Sequence, residues 1–174
     1  VTVSNVEYFG ASIAAGQFTG GAGIIGFDAG ILLTSGSVYN VVGPNVEDSI
    51  SSNNGLSCDS QLDQLSEYTT YDASILEFDF VPTTDSVLFR YVFSSDEYNE
   101  FVGSSFNDAF AFFVNDQNCA KVETGPVTIN LVNGDTHFGV YVNNDLDDGG
   151  GTIDIEMDGL TTVLTCYATV PQGQ

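Results

Sequence analysis

The stretch Ser74-Ile75-Leu76-Glu77-Phe78-Asp79-Phe80-Val81 alternates apolar and acidic side chains. Successive strand residues point to opposite faces, so Leu76, Phe78 and Phe80 are expected to face a core while Glu77 and Asp79 face water. Pro82 and Thr83-Thr84-Asp85 then turn the chain. Residues 86–93 (SVLFRYVF) are rich in β-branched and aromatic side chains and read as a central strand covered on both faces. Residues 109–114 (AFAFFV) read the same way. Residues 161–170 (TTVLTCYATV) read as a long alternating strand with Leu164, Cys166, Ala168 and Val170 on one face. Shorter strands are expected at 127–132 and 137–142, on either side of the turn Asn133-Gly134. The first third is looser, punctuated by Gly20, Gly21, Gly23, Gly26 and Gly30, with one helical turn expected at 59–65. Short strands at regular spacing with Gly and Asn turns predict an all-β, jelly-roll-like β-sandwich, a single domain over residues 1–174.

The composition agrees with a folded chain and narrows its partners. Hydrophobic residues make up 43% of the 174 positions and include 13 Phe and 8 Tyr, more than a disordered acidic segment carries. Only Arg90 and Lys121 oppose 24 acids, giving a net charge of −22. Such a chain has almost nothing with which to neutralise phosphates, so nucleic acid and anionic membranes are excluded as partners. No apolar run reaches membrane-spanning length, and no membrane insertion is expected. Spread evenly over roughly 8,000 Å² of surface, the charges would stand well beyond the ~8 Å Debye length. The acids are not spread evenly, however. Asp96, Glu97, Glu100 and Asp108 fall in one segment and Asp145, Asp147 and Asp148 in another.

Two segments carry the candidate chemistry. Ser94-Ser95-Asp96-Glu97-Tyr98-Asn99-Glu100-Phe101 leaves one apolar strand, and Phe106-Asn107-Asp108 enters the next. Asp96, Glu97, Asn107 and Asp108 are therefore candidates to converge, and without a cation their repulsion would raise carboxylate pKa values. Asn143-Asn144-Asp145-Leu146-Asp147-Asp148-Gly149-Gly150-Gly151 alternates amides and acids before three glycines, a pattern that suits calcium through Asn143, Asp145 and Asp147. The alternative for both is a solvated acidic loop. Asp154-Ile155-Glu156-Met157-Asp158-Gly159 matches the first half of an EF-hand loop, but the position needing a bidentate Glu is Thr165, inside a strand. It reads instead as a strand, with Ile153, Ile155 and Met157 inward and Asp154, Glu156 and Asp158 outward.

Three cysteines, Cys58, Cys119 and Cys166, imply one disulfide and one spare thiol or intermolecular bond in an oxidising, extracellular setting, with the pairing open. His137 has no ligand-spaced companion. No Ser stands in a Gly-x-Ser-x-Gly context, there is no Trp to form a sugar platform, and Gly20-Gly21-Ala22-Gly23 lacks the flanks of a phosphate loop, so no enzymatic activity is expected.

Tyr91-Val92-Phe93-Ser94-Ser95-Asp96-Glu97-Tyr98-Asn99-Glu100-Phe101-Val102 and residues 106–113 (FNDAFAFF) closely resemble the bacterial choice-of-anchor L domain. The likeness extends through residues 26–36 (GFDAGILLTSG), the turn Val42-Gly43-Pro44-Asn45, residues 71–80, 143–151 and 157–164. It implies a secreted or surface-displayed bacterial domain, found in proteins with various cell-wall or membrane anchors and with no established enzymatic activity. Relative to that pattern, a segment before Val1 and a strand after Val170-Pro171 are missing. A sandwich short of one strand would expose an unpaired edge, which another chain can fill by strand addition. Val1, Val3 and Val6 alternate with polar residues and form the candidate donor strand. The expectation is a structural or adhesive protein of a bacterial surface or biofilm matrix, with calcium as cofactor and copies of itself, assembled head to tail into a filament, as partners. The alternative is a monomeric calcium-dependent adhesin that binds a glycan or peptide.

Overall fold

A computed structural model describes residues 1–173, and the fold is all-β. The N-terminal strand β1 (Thr2–Phe9) precedes a hairpin of β2 (Ala15–Thr19) and β3 (Ala29–Leu33). The following loop leads to α1 (Ser60–Ser66), where Asp59 Oδ1 accepts from the amides of Gln61 and Leu62 and caps the helical turn expected there. Next come β4 (Ile75–Val81), β5 (Ser86–Tyr91) and β6 (Ser94–Ser95). Four short strands follow, β7 (Ala109–Phe110), β8 (Phe113–Val114), β9 (Gln117–Asn118) and β10 (Lys121–Val122). Then come β11 (Gly125–Thr128), β12 (Tyr141–Asn143), β13 (Gly159–Thr161) and β14 (Leu164–Thr169).

All pairings are antiparallel. β1 pairs with β4, β5 with β14 and β8 with β9, while β10–β11–β7 and β12–β13–β6 form three-stranded sheets. β4 behaves as its alternation requires: Glu77 and Asp79 are exposed while Leu76, Phe78 and Phe80 turn inward. Phe78 and Phe80 meet Phe89 of β5 at centroid distances of 6.5 and 6.1 Å, and Phe89 stacks on Phe112 at 4.3 Å. Around them Val87, Tyr91, Phe93, Tyr98, Val127, Ile129, Cys166 and Val170 form the main core. In β14, Cys166 is buried and Leu164 and Ala168 are part-buried, while Thr165, Tyr167 and Thr169 are exposed. Burial thus follows the period of two.

The structure corrects four expectations. Residues 86–93 do not form a strand covered on both faces: β5 pairs only with β14, Leu88 is 64% exposed, and Arg90 shares that outer face, 5.6 Å above the Phe27 ring. Residues 109–114 break into β7 and β8, because the Phe112 amide turns to Asn118 Oδ1 and its carbonyl accepts from the Cys119 amide. The strands expected at 127–132 and 137–142 are realised only as β11 and β12, with turns at 129–131 and 138–140. Residues 153–158 form no regular strand, and Glu156 and Asp158 are 2% and 0% exposed rather than facing water.

Cys119 and Cys166 form the disulfide, with Cα atoms 4.9 Å apart, and Cys58 is an exposed free thiol. The bridge ties β14 to the segment just after β9. The donor-strand candidates lie in or beside β1, which pairs within its own chain from Thr2↔Val81 to Phe9↔Ile75, with a register shift between Ser4 and Glu7. Val1, Val3 and Val6 nonetheless remain 68%, 52% and 61% exposed.

Candidate functional site

Sheet geometry gathers the acidic segments at one place. Ser95 of β6 and Asn143 of β12 both face Gly159 of β13 across the antiparallel ladder. Asp96 leaves β6, Asn144 leaves β12 and Asp158 enters β13 at this same end of the sheet. Asn144, wholly buried, organises the loop between β12 and β13. Its Nδ2 donates to the carbonyls of Ile155 and Met157, its Oδ1 accepts from the Ile153 amide, and its backbone amide donates to Asp158 O at 2.7 Å.

A third loop closes over this one. Glu156 accepts from the amides of Val46 and Glu47, both at 3.1 Å, and donates its own amide to Val41 O. Asn45 Nδ2 donates to Asp158 Oδ1 at 2.7 Å and to Asn144 O at 3.0 Å. These bonds explain why Glu156 and Asp158 face inward: their partners lie 109 to 113 residues away in sequence. Gly43 allows the approach, since a Cβ there would sit 2.5 Å from the Asp154 carbonyl carbon.

The cluster is electrostatically loaded. Burial first, and then the charge of Asp158, push Asp96 up to about 8, with Glu156 and Glu97 adding to the rise. The Ile50 amide faces Asp96 without closing a hydrogen bond. Burial pushes Asp158 up to about 6 despite the Asn45 hydrogen bond, and Asp145, Glu100 and Asp48 raise it further. Glu97 and Asp108 are also raised, chiefly by burial. These carboxyls hold protons that the unfolded chain would release near the ordinary Asp value of 3.8. The folded state therefore binds more protons between about pH 4 and pH 8, and stability must fall as pH rises through that window. In chelator, the melting temperature is expected to drop by on the order of 10 °C from pH 5 to pH 8. Calorimetry showing a midpoint that rises with pH would contradict this electrostatic picture.

The candidate residues from the sequence do not form a single set. Asp96 turns toward Asp158 and Glu156, whereas Asp108 accepts from Ser95 Oγ at 2.7 Å and repels Glu97. Asn107 holds the framework, donating to Ser66 O and accepting from the Asn130 amide. In the second loop, Asp145 Oδ1 accepts from the amides of Asp147 and Asp148, and Asn143 Oδ1 accepts from the Asp145 amide. Asp147 itself is exposed. Asn99 Nδ2 bridges the two segments by donating to Asn143, Asp145 and Asp148 at 3.2, 3.3 and 3.2 Å. Sequence reasoning missed Asn45, Glu156 and Asp158. Their signal was the pair of strings around Val42–Asn45 and Met157–Gly159, which the family likeness singled out without giving them a role. Among the described residues, no three His, Cys, Asp or Glu side chains group closely enough to hold a metal by themselves.

The family model for the choice-of-anchor L domain matches residues 1–174. The chain belongs to this family. Comparison with curated proteins and with solved structures finds no match. The family places this choice-of-anchor L domain among bacterial surface-associated proteins, and none of its described helices is long and apolar enough to cross a membrane.

At another place, this choice-of-anchor L domain leaves an apolar groove open between its β1–β4 and β5–β14 pairs. Val1, Val3, Phe78, Phe80, Val87 and Phe89 line it. The outer edges of β1 and β14 carry no further strand among the described residues.

Proposed function

We propose that the domain is a non-enzymatic structural or adhesive module of a bacterial surface or biofilm matrix, assembled by exchange of β1 between copies. The observation that carries this reading is the poor seating of β1. Seven of its eight residues are exposed, yet Val1 and Val3 border an apolar groove that one thin strand does not cover. Exchange would reproduce the same ladder on a neighbour's β4, so it gains or loses few contacts at the strand itself. Because the donor and the acceptor groove belong to opposite partners, the contact propagates unless two copies exchange reciprocally.

The test uses the register Val3↔Phe80. On a Cys58→Ser background, a Val3→Cys chain is mixed with a Phe80→Cys chain under mild oxidation. Exchange is expected to give a covalent heterodimer, and the parent protein is expected to show concentration-dependent polymers by light scattering and electron microscopy. A compact monomer at every concentration, with no cross-link between the two chains, would rule out assembly and leave the monomeric adhesin.

A further inference from the structure

Four buried side-chain oxygens at the end of the β12–β13–β6 sheet close no hydrogen bond: both of Asp96, Oδ2 of Asp158 and Oδ1 of Asn45. Their residues are 8%, 0% and 5% exposed, so bulk water does not stand in for the missing partners. The Asn45 amide cannot be turned round to cure this, because its Nδ2 already donates to two oxygens, Asn144 O and Asp158 Oδ1. Buried acceptors left unpaired are rare in native proteins and call for an explanation.

Protonation is one remedy, but it lapses once Asp96 and Asp158 ionise, and the oxygens are then bare. A cation satisfies them together. We infer that Asp158 Oδ2, Asn45 Oδ1 and the Asp96 carboxylate ligate a hard divalent cation of the calcium class. The ligand set contains only oxygen, mixes carboxylates with an amide carbonyl, and comes from three loops, which matches the irregular coordination calcium tolerates and magnesium does not. Two carboxylates balance its charge, and waters fill the remaining positions. Glu97, Glu100 and Asp145 add negative field without being ligands. The chain's own cations lie elsewhere, Arg90 above Phe27 and Lys121 exposed in β10. The inference does not rest on strand exchange: a monomer that binds calcium would sink only the assembly reading.

Chelator-stripped protein titrated with calcium chloride in a calorimeter is expected to show one site, with Kd on the order of 10⁻⁴ M. Calcium at a hundredfold excess over that Kd should raise the melting temperature by roughly 5–10 °C. Asp96→Asn is the cleanest variant, since Asp96 makes no hydrogen bond that the change would break. Asp96→Asn and Asp158→Asn should each weaken binding at least about tenfold. In chelator, Asp96→Asn should melt at or above the wild-type temperature, because a buried repulsive charge is gone. Asp147→Asn, in the exposed loop, should leave the calcium response intact. The proposal fails if wild type melts equally in calcium and chelator, or if sodium chloride of matched ionic strength gives the same shift. It also fails if Asp96→Asn keeps full affinity, or if Asp147→Asn abolishes it.

Discussion

Opening the Cys119–Cys166 bridge is expected to cost about 4 kcal/mol, from the entropy returned to an unfolded chain freed of that loop. The two cysteines are 47 residues apart in sequence, so the closed loop spans β10 to β13 and much of β14. Cys166 is wholly buried in the main core, between Leu164 and Ala168 on the inward face of β14. Replacing both cysteines with alanine should lower the melting temperature by roughly 8–16 °C. The Cys58→Ser change, at an exposed thiol, should leave it unaltered. Thermal melts of the three proteins decide the matter: a double variant within about 2 °C of wild type would mean the bridge adds little to a fold already closed by its sheets.

Truncating Tyr98 to alanine should be the most damaging single side-chain change, at about 3–5 kcal/mol. Its ring is wholly buried, 4.8 Å from Tyr141 and 6.4 Å from Phe93, and its hydroxyl donates to Val132 O at 2.5 Å. Tyr98→Phe keeps the ring and strands only the carbonyl, for about 1–3 kcal/mol. Gly159→Ala attacks the same packing from the opposite side, because its Cβ would lie 2.5 Å from Tyr98 Cδ2 and 2.7 Å from Tyr141 Cε2. Overpacking of that kind costs about 1–3 kcal/mol. Urea unfolding should rank Tyr98→Ala below both of the others; equal midpoints for Tyr98→Ala and wild type would show that the ring is not the pin of this corner. Glu97 and Asn99 flank Tyr98 in sequence, with Asp96 one position further, so its loss should also loosen the acidic cluster.

Legibility in the sequence tracked how local the deciding interactions were. β4 and β14 were readable because each has one wet and one dry face, which alternation reports directly. β5 was misread as two-sided because Leu88 and the aromatics hide its outer face; Arg90, two positions from Leu88, was the clue that this face is open. The break between β7 and β8 follows from Phe112 bonding its backbone to Asn118 and Cys119 rather than to a partner strand, which a string of apolar letters does not encode. Asp59 announced its helix because a cap acts on amides two and three residues on.

The site was only half legible for the same reason. Clustering in the sequence identified Asp96 and the loop from Asn143 to Asp148, and the structure does bring these segments to one end of a sheet. It could not show that Glu156 and Asp158 turn inward, since that outcome is fixed by Asn45, Val46 and Glu47 in a loop about a hundred residues earlier. Period-two alternation placed both acids on a solvent face, and long-range hydrogen bonding overrode it. The pairing of Cys119 with Cys166 lay equally beyond sequence spacing.

The tilted, touching pair of Tyr98 and Tyr141 rings has a spectroscopic consequence. Without tryptophan, the ultraviolet emission of the protein comes from tyrosine, and Tyr141 donates its hydroxyl to the Asn99 amide oxygen beside the acidic loops. A lanthanide ion placed there could receive excitation energy from the ring pair and glow. The domain thus carries its own lamp next to the place where an ion would have to be seen.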